Sequence, residues 1–168
     1  VTMADAMRVS KELNAQGVRL LITADCGITS MQEVEYAKTL GMDVIVTDHH
    51  EPEGALPEAY CVINPKQPGC PFSGEDLCGA GVVFHLIVAR RAELRSRGYR
   101  DLPNLREDLD LVAMATVADV VALAGVNRIM VREGLTVLNS AGRVGISALA
   151  KVSGITRSVF AHALSYVL

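Results

Sequence analysis

The sequence predicts an α/β protein: a parallel sheet with flanking helices, followed by a mostly helical portion. Two short apolar runs, Arg19–Asp25 (RLLITAD) and Asp43–Asp48 (DVIVTD), each close on an acid, and a helical pattern separates them. Strand, helix and strand within about 30 residues make a βαβ unit. Its strands run parallel, and with helices on the sheet they are expected to be buried on both faces. From Gly79 onward the apolar spacing is helical.

The opening VTMADAMRVSKELNAQG reads as an amphipathic helix. Thr29–Leu40 carries Met31, Val34, Ala37 and Leu40 at helical spacing, and Gly41 stops it. Tyr60–Asn64 (YCVIN) is expected to be a third strand, ended by Pro65. The interval Glu51–Cys78 holds five of the six prolines, so it reads as an ordered loop with little regular structure. Helices are then expected over Val82–Arg97, stopped by Gly98, over Leu105–Leu123, and over Asn127–Leu138, Gly145–Val152 and Thr156–Leu168.

Composition narrows the function classes. Half of the 168 residues are hydrophobic, which excludes a disordered chain, and no apolar run is long enough for a transmembrane helix. A formal net charge of −3 argues against a protein that wraps nucleic acid by bulk positive charge. No basic stretch followed by an apolar core marks a secretory signal. Cys26, Cys61, Cys70 and Cys78 include no CxxC pair, so they read as reduced thiols of a cytoplasmic protein. The chain opens on Val1 inside a helical pattern and closes on the apolar SVFAHALSYVL, so it is expected to be an internal segment of a longer protein.

In an open parallel sheet the ligand site lies beyond the carboxyl ends of the strands. Asp25 (in TADCG) and Asp48, His49 and His50 (in TDHH) fall at that edge. Carboxylate oxygen together with imidazole nitrogen suits a divalent ion such as Mn²⁺, Mg²⁺, Zn²⁺ or Fe²⁺. A further acid, Asp119, is the sole charged residue between Asp110 and Arg128, and a lone carboxylate buried in so apolar a stretch demands a partner or a metal. Each residue also has a plain structural reading. Asp25 and Asp48 can cap a helix and a turn, His50 can be a core histidine, and Asp119 can be an N-cap. Gly79 and Gly81 in LCGAG either approach a phosphate or make a tight turn that packs a helix. Arg90, Arg91, Arg95, Arg97 and Arg100 form a local basic cluster on a helix end. Arg128 and Arg132 lie one helical turn apart, open to either a structural or a site role.

TADCG, TDHH and ATVADVVAL, in that order and separation, resemble the second, third and fourth motifs of the DHH phosphoesterase superfamily. VINPKQPGCPF, LCGAGVVFHL, NRIMVREGL and SGIT resemble the RecJ-type single-strand-specific DNA exonucleases within it, and together these motifs span most of Leu20–Thr156. The resemblance implies a partial DHH phosphoesterase domain over residues 1–125, without its first Asp-x-Asp motif. Residues 126–168 would then be a helical extension toward a further domain. It implies a two-metal site using Mn²⁺ or Mg²⁺, with Asp25, His49 and Asp119 as ligands, Asp48 orienting the histidines or binding metal at second hand, and His50 touching the scissile phosphate. Read from the residues alone, Gly79, Gly81 and Arg128 are the candidate phosphate contacts. The resemblance further implies digestion of single-stranded DNA from the 5′ end in repair and recombination, beside a helicase and a single-strand-binding protein. Other members of the superfamily act on oligoribonucleotides, cyclic dinucleotides or pyrophosphate, or serve as non-catalytic replication scaffolds.

Overall fold

In the computed structural model, residues 3–72, 76–140 and 142–155 are described, and the helix expected over Thr156–Leu168 lies outside them. The chain divides into two compact units between Gly74 and Glu75.

The first unit is the βαβ arrangement with a third strand added. Helix α1 (Met3–Ala15) leads into β1 (Leu20–Ala24), α2 (Met31–Thr39), β2 (Asp43–Thr47) and β3 (Cys61–Ile63). The strands lie in the order β1-β2-β3, and both pairings are parallel. Val34 and Ala37 of α2 pack on Val44 and Val46 of β2, with Met42 closing the cluster. Gly41, at φ 73°, ends α2 by letting the Met42 N–H reach back to the Ala37 carbonyl at 3.1 Å. Asn14 of α1 donates to the Leu40 carbonyl at 2.7 Å, which fastens α1 to the end of α2.

Burial on both faces holds better for β2 than for β1. Leu20 and Ile22 of β1 are 49% and 54% exposed. Side chains alternate along a strand, and Leu21 is the one that turns toward the α2 cluster. As the edge of the described sheet, β1 therefore behaves as a one-sided strand.

The second unit is helical. It comprises α3 (Gly79–Ser96), a 3₁₀ turn (Leu105–Asp108), α4 (Leu109–Ala118), α5 (Gly125–Ser140) and α6 (Val144–Val152). The helix expected over Leu105–Leu123 is thus shorter at both ends. Asn104 caps the 3₁₀ turn by accepting from the Arg106 N–H, and Val120 takes a left-handed φ of 56° that stops α4. α4 and α5 are the most intimate pair in the unit.

Gly134 of α5 makes that contact possible. A Cβ there would run into the Leu109 carbonyl oxygen and the Ala113 methyl. Asp110, in the first turn of α4, is fully buried and accepts from Arg143 Nε at 2.8 Å. Arg143 also bonds the Glu107 carbonyl at 3.0 Å and Asp108 at 3.1 Å, which clamps the start of α6 to the start of α4. These carboxylates hold the Arg143 guanidinium above its ordinary pKa, with the bond to Asp110 the largest cause.

Gly134→Ala is expected to lower stability by about 1–3 kcal/mol or more, because rigid backbone must move to admit the methyl. A Cβ at Gly145 in α6 meets nothing within 4 Å. Gly145→Ala should therefore raise stability by up to about 1 kcal/mol through helix propensity. Paired thermal melts of the two variants check both signs.

Candidate metal centre

Parallel strands bring their carboxyl ends to one edge. The last register pairs are Ala24 with Thr47 and Thr47 with Ile63. The ladder then runs one step further, with the Asp25 N–H donating to the Thr47 carbonyl at 3.0 Å and the Asp48 N–H to the Ile63 carbonyl at 3.1 Å. Asp25, Asp48 and Asn64 are consequently the first residues past three adjacent strands.

Asp48 organises this edge. It is 1% exposed and accepts four hydrogen bonds. Its Oδ2 takes the Ile28 N–H at 2.9 Å, while its Oδ1 takes the His49 N–H at 2.8 Å and the His50 N–H at 3.2 Å. His50 Nδ1 also lies 2.7 Å from Oδ1. Burial pushes the Asp48 pKa up, but the bonds from Ile28, from the His50 ring and from the two histidine N–H groups outweigh it. The net pKa lies below the ordinary carboxylate value, so Asp48 is ionised.

The turn after β1 is shaped to meet Asp48. Asp25 sits at φ 64°, a left-handed conformation that aspartate tolerates better than most residues. Thr23 Oγ1 donates to the Cys26 carbonyl at 2.7 Å, and Gly27, at φ 112°, completes the turn. A Cβ on Gly27 would come within 3.0 Å of Thr23 Oγ1 and 3.2 Å of Val46 Cγ1, so glycine is needed for both conformation and space. The turn thereby delivers the Ile28 N–H to Asp48 and leaves Asp25 exposed on the rim.

His49 Nε2 lies 3.0 Å from Asp25 Oδ1. One ligand atom from each of Asp25, His49 and His50 falls within 4.8 Å of the others. Adjacent ligands on an octahedral ion with bonds of about 2.1 Å stand about 3 Å apart, so the Asp25–His49 pair fits a common divalent cation. Asp48 keeps His50 Nδ1 as the partnered nitrogen and leaves Nε2 on the half-exposed side of the ring.

Asn64 joins this edge although it is not among the candidate site residues of the sequence. It is 1% exposed, and its Nδ2 donates to the His50 carbonyl at 2.9 Å while its Oδ1 accepts from the Lys66 N–H at 2.8 Å. Its signal was available, since Asn64 closes an apolar strand just as Asp25 and Asp48 do.

The remaining candidates belong to the second unit. Asp119 is exposed, contrary to the expectation of a buried carboxylate. It is the residue that ends α4, with its N–H on the Ala115 carbonyl at 2.9 Å, so its side chain leaves the helix where the backbone turns away. The buried acid of that stretch is Asp110. Gly79 and Gly81 are in the first turn of α3 and buried, and the Gly81 N–H is already taken by Cys78 Sγ at 3.3 Å. Cys78 serves as the cap of α3, and its thiol also meets Thr116 Oγ1 at 3.3 Å. Arg132 is paired with Glu133 at 3.0 Å, and Arg128 is exposed on the first turns of α5. Asn127 beside it is buried, and its Oδ1 has no hydrogen-bond partner among the described residues.

A profile of the DHH family, N-terminal domain, matches residues 3–116. The chain belongs to the DHH family. The match contains Asp25, Asp48, His49 and His50 and stops just short of Asp119. The chain is 46% identical over 151 residues to the single-stranded-DNA-specific exonuclease RecJ of Salmonella typhimurium, covering 86% of this chain and 26% of that protein. It is 41% identical over 144 residues to the RecJ of Bacillus subtilis, covering 86% of this chain and 17% of that one. It is similar to the crystal structure of RecJ in complex with Mn²⁺ from Thermus thermophilus, with a TM-score of 0.78 and 35% identity over 95% of this chain and 23% of that one. A second crystal structure, of exonuclease RecJ bound to manganese, gives a TM-score of 0.75 at 35% identity, covering 92% of this chain and 38% of that one. This DHH chain thus spans about a quarter of the length of the first curated relatives it matches.

Asp48→Asn keeps the shape of the side chain and removes the charge that four donors share. The variant is expected to lose about 1–3 kcal/mol of stability near neutral pH. Because the Asp48 pKa is lowered by folding, its contribution is present above the ordinary carboxylate range and is lost as pH falls through the lower, folded value. Acid unfolding followed by circular dichroism should therefore show a smaller loss of stability below about pH 4 in Asp48→Asn than in the parent chain.

Proposed function

We propose that this DHH chain is the metal-binding part of a phosphodiester hydrolase that removes nucleotides from single-stranded DNA, working from the 5′ end in repair and recombination. The observation that carries the proposal is the convergence of Asp25, His49 and His50 at the carboxyl edge of the sheet, held in place by the ionised Asp48. The RecJ relatives are 40–47% identical to the chain over 82–89% of its length, and crystal structures of the Thermus thermophilus RecJ hold Mn²⁺ or Mg²⁺.

In this reading Asp25 and His49 are metal ligands, and Asp119 is a further candidate ligand. Asp119 stands at a helix C-terminus, against the negative end of the dipole, a position that favours a nearby cation. Mn²⁺ or Mg²⁺ bound there supplies Lewis-acid activation of water and of the phosphoryl oxygen. Asp48 takes no part in bond breaking. It fixes the His50 ring by accepting at Nδ1 and fixes the chain direction of both histidines through their N–H groups. His50 Nε2, when protonated, donates to a phosphoryl oxygen and opposes the charge that gathers as water adds to phosphorus and the ester oxygen leaves. Asn64 positions His50 through its carbonyl. Gly79 and Arg128 remain the candidate phosphate contacts of the second unit, whereas the Gly81 N–H is spent on Cys78.

The substrate is single-stranded DNA, and a helicase and a single-strand-binding protein are the expected partners in a cytoplasmic setting. Among the described residues no helix is long and apolar enough to cross a membrane, and all four cysteines are free thiols.

Isothermal titration of the chain with Mn²⁺ is expected to show weak binding that falls tenfold or more in His49→Ala and in Asp25→Ala. In the full-length protein, Asp25→Ala, His49→Ala and Asp119→Ala should each abolish Mn²⁺-dependent release of nucleotides from 5′-labelled single-stranded DNA. Parent-like nuclease activity in Asp119→Ala would remove it from the ligand set, and robust turnover of pyrophosphate without DNA cleavage would replace the nuclease reading.

A further inference from the structure

The second unit carries a cavity of about 440 Å³ that the proposed hydrolysis does not use. It lies where α3 meets the segment leading into the 3₁₀ turn. Val88, Ala92 and Leu105 give it an apolar floor, and Arg91, Arg95 and Arg106 give it cationic walls. Val88, Arg91, Ala92 and Arg95 recur at the three- and four-residue spacing that puts side chains on one face of α3. Among the described residues no acidic side chain lines the cavity.

The three guanidinium groups are not equally engaged. Arg106 Nη2 is bound to Glu133 at 2.7 Å. Arg91 donates through Nε to the Pro103 carbonyl at 2.9 Å, which anchors the side chain and leaves both Nη groups without a partner among the described residues. Arg95 makes no side-chain hydrogen bond or ion pair with any described residue, while its neighbour Arg97 is matched with Glu93 at 2.7 Å. Two arginines thus present unspent, fork-shaped donors beside an apolar floor, in a chain whose net charge is −3.

Guanidinium forks match carboxylates in a bidentate manner, and an apolar floor accepts an aliphatic side chain. Single-stranded nucleic acid is held by a long basic track with aromatic rings on which bases stack. Among the described residues this cavity has no aromatic lining, and its cations are confined to one spot. We propose that the cavity is a docking site for an acidic peptide segment of another protein, with a carboxylate held by Arg91 and Arg95 and an apolar side chain seated on Val88, Ala92 and Leu105. The inference is independent of the nuclease reading.

The test is fluorescence anisotropy of the chain with a short fluorescein-labelled peptide of aspartates closed by a leucine. A labelled peptide of aspartates alone and a labelled oligothymidylate of equal charge serve as comparisons. Saturable binding of the leucine-closed peptide is expected, weaker for the aspartate-only peptide, and reduced tenfold or more in Arg95→Glu and in Val88→Asp. Because Arg95 has no side-chain partner to lose among the described residues, its variant should melt at the parent temperature, which separates lost binding from lost fold. Peptide binding unchanged in Arg95→Glu, or no saturable binding by the parent chain, would overturn the proposal. Displacement of the peptide by oligothymidylate at lower concentration would overturn it too, assigning the cavity to nucleic acid.

Discussion

A single buried carboxylate holds the edge of the sheet together. Asp48 accepts from the turn after β1, from the backbone of both histidines and from the ring of one of them. Placing a charge at 1% exposure is tolerable only when its acceptor capacity is filled, and here it is filled by donors from the segments that follow two adjacent strands. Each donor is thereby fixed in turn. The Ile28 bond sets where the β1 turn closes, and so where Asp25 stands. The His49 and His50 bonds set the course of the chain as it leaves β2. Removing Asp48 would orphan four donors at once, so the candidate ligands and the local fold share one determinant.

The parts of this arrangement that rest on short-range pattern are legible in the sequence. Strands β1 and β2 are apolar runs closed by acids, α2 has its apolar spacing and its glycine stop, and the TADCG and TDHH segments announce a polar edge. What depends on pairing across the fold is not legible. Asp110 looks no different from Asp119 as a letter in an apolar stretch. Only Arg143, more than 30 residues later, makes it the buried one and leaves the other at a helix end. Asn64 is similar, because its value lies in reaching His50 across the sheet. The expected long helix over Leu105–Leu123 fails because nothing in VADVVAL advertises that a valine takes a left-handed turn.

That valine is informative. Val120 follows Asp119, is 88% exposed, and occupies a conformation that β-branched residues avoid. Its neighbours close the helix in the usual way, with the Val121 N–H on the Thr116 carbonyl at 3.2 Å. Among the described residues Asp25 is the other non-glycine residue with positive φ. Both departures from relaxed backbone therefore fall at, or next to, a carboxylate proposed as a metal ligand, the pattern expected where chain geometry serves a site more than it serves stability. Net charge supports the same division of labour. At −3 the chain repels a polyanion overall, yet bound divalent ions would reverse the sign at the sheet edge.

The extension of the ladder one residue past the strands turns the sheet into a ruler. Strand spacing of about 4.8 Å is a property of backbone hydrogen bonding and is indifferent to sequence. Asp25, Asp48 and Asn64 stand at successive marks on that scale, so their interval cannot be retuned by repacking the core. Variation at this edge can change which chemical group occupies a mark, but not how far apart the marks lie. A sheet of this kind fixes the metric of a site in advance and leaves only its identity to be chosen.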